Sequence, residues 1–232
     1  MLRVDKYLSN ATDLSRTEVK RLIKDGLVTV DEESVSNPAQ KVSGSENICI
    51  DGSSITMPRH RYFMMNKPAG VVSATKDHNN STALDLIYEH RSSELQIAGR
   101  LDIDTTGLLL ITDDGQWNHR LTSPRSDCQK IYSVKLASPI SAEYQEKLSK
   151  GIWLEGEKHR CRPATLEVID QQQVLLSIAE GKYHQVKRMF AALGNHVEEL
   201  HRTQVGDIVL DHDLEPGDYR PLTEQEVASI YG

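Results

Sequence analysis

Apolar residues in the opening stretch recur at helical spacing: Leu2, Val4, Tyr7 and Leu8 outline a short helix, and Val19, Leu22 and Ile23 a second. Ser15 and Glu18 form a capping box ahead of the second helix, and Gly26 stands where a left-handed residue ends one. The period then shortens to two. Residues 27–35 (LVTVDEESV) and 47–55 (NICIDGSSI) read as strands running into turns, the latter at Asp51-Gly52. Residues 57–61 (MPRHR) read as a linker, which divides the chain into 1–58 and 59–232.

Beyond the linker the pattern is one of short apolar runs between turn residues. YFMM, GVVSAT, LQIAGR, GLLLIT, KIYSVKL, TLEVID, VLLSIA and HVEEL are strand candidates. Helices are interspersed: Ser81 caps TALDLIYEH, SAEYQEKLSK stops at Gly151, KYHQVKRMFAALGN stops at Gly194-Asn195, and Thr223 with Glu226 forms another capping box. Short strands joined by tight turns, with helices at irregular intervals, predict an α+β fold with a mostly antiparallel sheet. No glycine-rich phosphate loop is present, which argues against a nucleotide-driven enzyme.

Charge narrows the partners. The 232 residues carry 27 basic and 34 acidic side chains, a net −7. A general basic coat for nucleic acid is excluded, but fields are screened within about 10 Å, so a local cationic patch on an acidic body is not. Arg16, Lys20 and Lys24 recur four apart on the second predicted helix, with Arg21 beside them. That row is either a solvated face or a phosphate-facing stripe. No apolar run approaches the roughly 20 residues of a membrane span, and the start lacks the apolar core of a secretory signal. A soluble cytoplasmic protein is expected. Cys49, Cys128 and Cys161 are far apart, so reduced thiols are expected and no metal site.

The densest candidate chemistry is residues 99–115, GRLDIDTTGLLLITDDG. Asp102 and Asp104 stand at the mouth of an apolar strand, where rigid backing and low dielectric can make a carboxylate a nucleophile or base. Asx and Thr turn chemistry is the plainer reading. An EF-hand-like loop would place Asp102, Asp104, Thr106 and Asp113 at ligand positions and Gly107 at the turn, but Leu110 and the missing bidentate Glu oppose it. A sugar-cleaving pair needs carboxylates on opposite sides of the bond, whereas Asp102 and Asp104 would point the same way on an extended chain.

A second signal is residues 180–202. Val186, Met189, Phe190 and Leu193 form an apolar stripe, with Lys182, His184, Lys187, Arg188 and Arg202 off it. A partly buried carboxylate needs a cation to stay charged, and Lys187 and Arg188 are the two candidates. Tyr132 shares a strand face with Val134 and Leu136, which fits a core tyrosine or a base-stacking wall. Lys67, in the turn NKPAG, is a candidate phosphate contact.

In order and spacing these segments resemble the RsuA-type pseudouridine synthases, which modify small-subunit ribosomal RNA. RVDKYL and SRTEVKRLIKDGLVTVD resemble the RNA-binding domain of ribosomal protein S-four. YFMMNKPAG, AGRLDIDTTGLLLITDDGQWNHRLTSP, KIYSVKL, EGKYHQVKRMFAALGNHVEELHR and LEPGDYRPLTEQE resemble the catalytic domain. The resemblance implies a small helix-and-strand RNA-binding domain over 1–58 and a larger synthase domain over 59–232. It implies that Asp102 is the catalytic aspartate, that Tyr132 packs on the target base and that Lys187 pairs with the carboxylate. Asp104 would shape the loop. Arg16, Lys20, Arg21, Lys24, Lys67, Arg100, Lys182, His184 and Arg188 are then the expected RNA contacts. The expected reaction turns a uridine of 16S RNA into pseudouridine without metal or organic cofactor, on a base taken out of its stack. The expected partner is small-subunit ribosomal RNA, free or in an assembling particle, met by a monomer. The rival reading is a non-catalytic assembly factor that only holds ribosomal RNA.

Overall fold

The computed structural model describes residues 1–57, 59–89, 91–123 and 126–231; Pro58 of the predicted linker and His90 of the predicted TALDLIYEH helix lie outside them. The chain forms two compact units, Met1–Arg59 and His60–Gly232.

The first unit runs β1 (Leu2–Arg3), α1 (Val4–Ala11), α2 (Arg16–Lys24), β2 (Val28–Val30), β3 (Glu33–Ser34), β4 (Lys41–Val42), β5 (Ile48–Ile50) and β6 (Ser53–Ser54). The capping box at Ser15 and Glu18 forms as the sequence predicts, and Gly26 ends α2 at φ +75°. Four strands pair antiparallel in the order β3-β2-β5-β6, and β1 pairs with β4. Val4, Tyr7, Leu8, Val19, Ile23, Val28 and Ile48 form the core. Asp5 is fully buried, and its carboxylate accepts from Arg3 and Arg16. Burial pushes this carboxyl up; the two arginines outweigh that and hold it below the usual carboxylate range.

The second unit adds β7 (Tyr62–Lys67), β8 (Gln96–Ala98), β9 (Thr106–Thr112), α3 (Gly115–Thr122), β10 (Lys130–Leu136), α4 (Glu143–Ser149), β11 (Thr165–Val168), β12 (Gln173–Ile178), α5 (Gln185–Ala192), β13 (Val197–Val205), β14 (Ile208–Val209), β15 (Tyr219–Pro221) and α6 (Glu224–Ser229). Among the described residues nine strands form one sheet, in the path β11-β12-β10-β13-β9-β7-β15, with β14 on β13 and β8 on β9. Every pairing is antiparallel but one. β13 meets β9 in parallel, through His201 opposite Thr106 and Arg202 opposite Gly107.

The sheet is covered on both faces, which is why β9 reads as an unbroken apolar run. Leu109 and Ile111 join Phe63, Met65, Val134 and the α5 residues Val186, Met189 and Phe190 in one core. Leu108 and Leu110 join Met64, Trp117, Leu121 and Val205 in the other. Among the described residues no helix is long and apolar enough to cross a membrane.

Two local expectations are corrected. GVVSAT is not a strand and makes one isolated bridge, Val72 with Thr82. Its neighbourhood braces another loop instead: the Gly70 amide donates to the Ile103 carbonyl at 2.8 Å, and Ser73 Oγ accepts from the Leu101 amide at 3.1 Å. Thr82, not Ser81, caps the next segment, which makes a single 3-10 turn over Ala83–Leu86. The sequence pattern assigns no element to 115–122, where α3 forms: Asp114 starts it by accepting from the Gln116 and Trp117 amides, and Trp117 and Leu121, one turn apart, bury its inner face.

Candidate active site

The loop 99–105 between β8 and β9 is held from several sides. Gly99 opens it at φ +86°, and Gly107, second in the strand beyond it, lies at φ +97°. Lys67, fully buried, donates from Nζ to the carbonyls of Pro68 and Thr105, each at 2.9 Å, and lies 3.4 Å from that of Ile103. Burial pushes this ammonium down to about 8, although Asp104 and Asp102 pull it upward. From β13 the buried Arg202 donates to the carbonyls of Gly99 and Leu108 at 2.8 Å each. A side chain on Gly107 would collide with the Arg202 carbonyl, so glycine is required where β9 and β13 run side by side.

This bracing presents Asp102 to a cavity of about 560 Å³ whose walls include Arg100, Tyr132, Lys130, Ile178, His184 and Arg202. Asp102 keeps 29% of its side chain exposed, and Lys187 Nζ lies 3.4 Å from it. His184 Nε2 lies 3.4 Å from its other oxygen. Lys187 makes a shorter contact, 2.6 Å, to Asp104. That hydrogen bond is the main cause holding the Asp104 carboxyl below its ordinary range. Tyr132 is 7% exposed and does two things at once: it belongs to the core of the sheet and walls the cavity.

The expected residues therefore separate. Asp102, Tyr132, Arg100 and His184 come together at the cavity, with Lys187 beside Asp102. Lys67 is a correction: its ammonium is turned inward to three backbone carbonyls and cannot meet a phosphate at the surface. Arg188 is also committed, to Glu157 at 3.0 Å and to the carbonyls of Tyr183 and Glu155. Lys182 also lines the cavity, with its ammonium 3.5 Å from Glu157 and donating to the His159 carbonyl at 3.1 Å. In the first unit Lys20, Arg21 and Lys24 are exposed along α2. Arg16 belongs to the same row but bonds the buried Asp5.

Arg202 is the site residue that sequence reasoning misplaced, grouped with the solvated cations of α5. The available signal was its register: it falls on the inward side of β13 with Leu200. The calcium alternative fails on geometry. Residues 106–112 are an extended strand, and Asp113 at its far end accepts from Arg61 Nε at 2.7 Å, so Asp102 and Asp113 cannot wrap one ion.

The chemistry of the cavity is that of a carboxylate on a rigid loop, beside a cation, facing an aromatic wall. Such a group can attack or deprotonate a carbon brought into the cavity. Comparison with known proteins agrees. The sequence profile described as RNA pseudouridylate synthase matches residues 61–192, and that of the S4 domain matches residues 2–48. "Ribosomal small subunit pseudouridine synthase A" of Vibrio cholerae serotype O1 is 54% identical over 230 residues, covering 99% of this chain and 100% of that protein. The protein of the same name in Escherichia coli K12 is 51% identical with the same coverage. A solved structure titled "Crystal structure of pseudouridylate synthase" superposes with a TM-score of 0.72 at 44% identity, covering 99% of this chain and 100% of that one. With an S4 domain ahead of its synthase domain, the chain belongs to the RNA pseudouridylate synthase family.

Proposed function

We propose that this protein converts a uridine of small-subunit ribosomal RNA to pseudouridine, with Asp102 as the catalytic residue. The observation that carries the reading is the Asp102 carboxylate, partly buried on a braced loop at a nucleoside-sized cavity, with Lys187 Nζ at 3.4 Å. In the reaction the C1′–N1 bond breaks, the uracil turns over and C1′ joins C5. The C5 hydrogen leaves as a proton and N1, freed from C1′, gains one, so the product is an isomer of the substrate. Nothing is oxidised or reduced, so side chains are enough for the chemistry.

Asp102 serves either route to the intermediate, by attack on C1′ or by removal of the 2′ hydrogen to give a glycal. Lys187 keeps negative charge favourable at the site throughout. Tyr132 offers the uracil a face once the base has left its stack, and Arg100 at the rim meets the displaced backbone. Lys20, Arg21 and Lys24 of α2 supply a second, sequence-independent hold on RNA phosphates. The reading extends to action by a monomer, on RNA that is free or part of an assembling particle in the cytoplasm.

The test is tritium release from small-subunit ribosomal RNA labelled at uridine C5. The wild-type protein releases label and Asp102→Asn does not. Release at the normal rate by Asp102→Asn would remove the carboxylate from its role. No release by either protein, with RNA binding intact, would favour the assembly-factor reading.

A further inference from the structure

Tyr183 is left strangely bare for an aromatic beside a cavity. It is 71% exposed, against 7% for Tyr132 in the same cavity wall. Nothing about the loop is slack. Gln185, itself buried, accepts from the Lys182 amide at 2.8 Å and donates to Glu180 at 2.8 Å. Arg188 donates to the Tyr183 carbonyl at 3.0 Å. His184 is held left-handed at φ +46°, a conformation that a non-glycine residue adopts at a cost. The fold thus fixes the backbone on both sides of a ring that it leaves in water.

One face of that ring is used. Tyr183 stacks on His184 with centroids 3.8 Å apart and planes 19° from parallel. The same imidazole reaches Asp102 at 3.4 Å. Carboxylate, imidazole and phenol therefore form a continuous series leading out of the cavity, and it ends in a flat aromatic surface facing solvent.

Resting on the function proposed above, we propose that Tyr183 is a stacking platform for the nucleobase adjoining the target uridine. Extracting a base exposes the face of its neighbour, and an aromatic side chain replaces the lost stack without regard to base identity. The series of contacts sets this platform within one nucleotide step of Asp102. His184 is a positioning residue in the arrangement: its ring backs the phenol as the phenol backs the base.

The experiment combines steady-state tritium release with equilibrium fluorescence of RNA carrying 2-aminopurine on either side of the modified uridine. Wild-type protein is expected to quench the probe on one side. Tyr183→Leu is expected to raise KM about tenfold and to abolish that quenching, from the usual strength of one base–aromatic stack. Tyr183→Phe, which keeps the ring, is expected to restore both. A residue that merely holds His184 in place would lower kcat and leave KM and quenching untouched. Unchanged KM with unchanged quenching in Tyr183→Leu, in the same assay where wild type releases tritium, overturns the platform alone. Absence of tritium release by wild type overturns the underlying function instead.

Discussion

The Lys187 ammonium donates to Asp104 at 2.6 Å while standing 3.4 Å from Asp102. One cation thus serves two carboxylates of unequal exposure, with 66% of the Asp104 side chain open against 29% of Asp102. The more exposed acid anchors the lysine and the less exposed one takes its field. Asp102→Asn should lower single-turnover tritium release by more than about 10³-fold, because the reacting group itself is gone. Asp104→Asn should cost on the order of tenfold, since Lys187 loses its anchor but keeps its charge. The reverse ranking would mean that Asp104 does the chemistry.

Lys67 predicts opposite responses of activity and stability to alkaline pH. Its ammonium has three donors for three carbonyls, and burial pulls its pKa down to about 8. As pH rises through about 8 the neutral amine keeps two donors, the loop carrying Asp102 loosens and kcat should decline. Stability moves the other way. An unfolded lysine titrates near 10.4, so between about 8 and 10 the unfolded chain binds more protons, and this group's contribution to stability rises with pH. Lys67→Met should abolish both trends and leave the three carbonyls unsatisfied, at about 2 kcal/mol. A pH–rate profile beside urea unfolding from pH 7 to 10 checks this; parallel trends in the wild type would refute the tether.

Where a segment's fate depends on its own side chains, the sequence was legible. KIYSVKL is β10 end to end, because alternate residues pack into the sheet core. The capping boxes at Ser15 and Thr223 start α2 and α6 as read. Other segments are decided by partners distant in sequence. GVVSAT has a strand's composition, yet Gly70 and Ser73 are engaged by Ile103 and Leu101, some thirty residues on. The pairing of candidate Asp102 with Lys187 was legible through the motif. The inward turn of Lys67 was not, since a cation bonded to carbonyls has the same local sequence as one in water, and the burial of Arg202 showed only in its register with Leu200 on β13.

Gly107 tests the parallel seam that sets the loop. At φ +97°, with the Arg202 carbonyl in the way of any Cβ, Gly107→Ala should cost roughly 3 kcal/mol or more. Gly26, at φ +75° with open space where a methyl would stand, isolates the conformational part: Gly26→Ala should cost about 1 kcal/mol. Urea unfolding of both variants gives the comparison. Equal losses would show that β13 can move away from β9 without penalty.

The α2 row divides into cations with different tasks. Arg16 holds the buried Asp5 at 3.0 Å, while Lys20 and Lys24 are exposed to solvent. Arg16→Ala should therefore destabilise the first unit, by about 2 kcal/mol, through the buried carboxylate it leaves to Arg3 alone. Lys20→Glu with Lys24→Glu should leave the melting temperature within about 2 °C and instead weaken RNA binding. Each phosphate that is no longer neutralised takes roughly 0.7 to 0.9 from the slope of log affinity against log salt, so the double variant should flatten that slope by about 1.5. Titration of small-subunit ribosomal RNA across a range of salt reads it directly. An unchanged slope would return the row to an ordinary solvated helix face and leave the synthase unit to hold the RNA by itself.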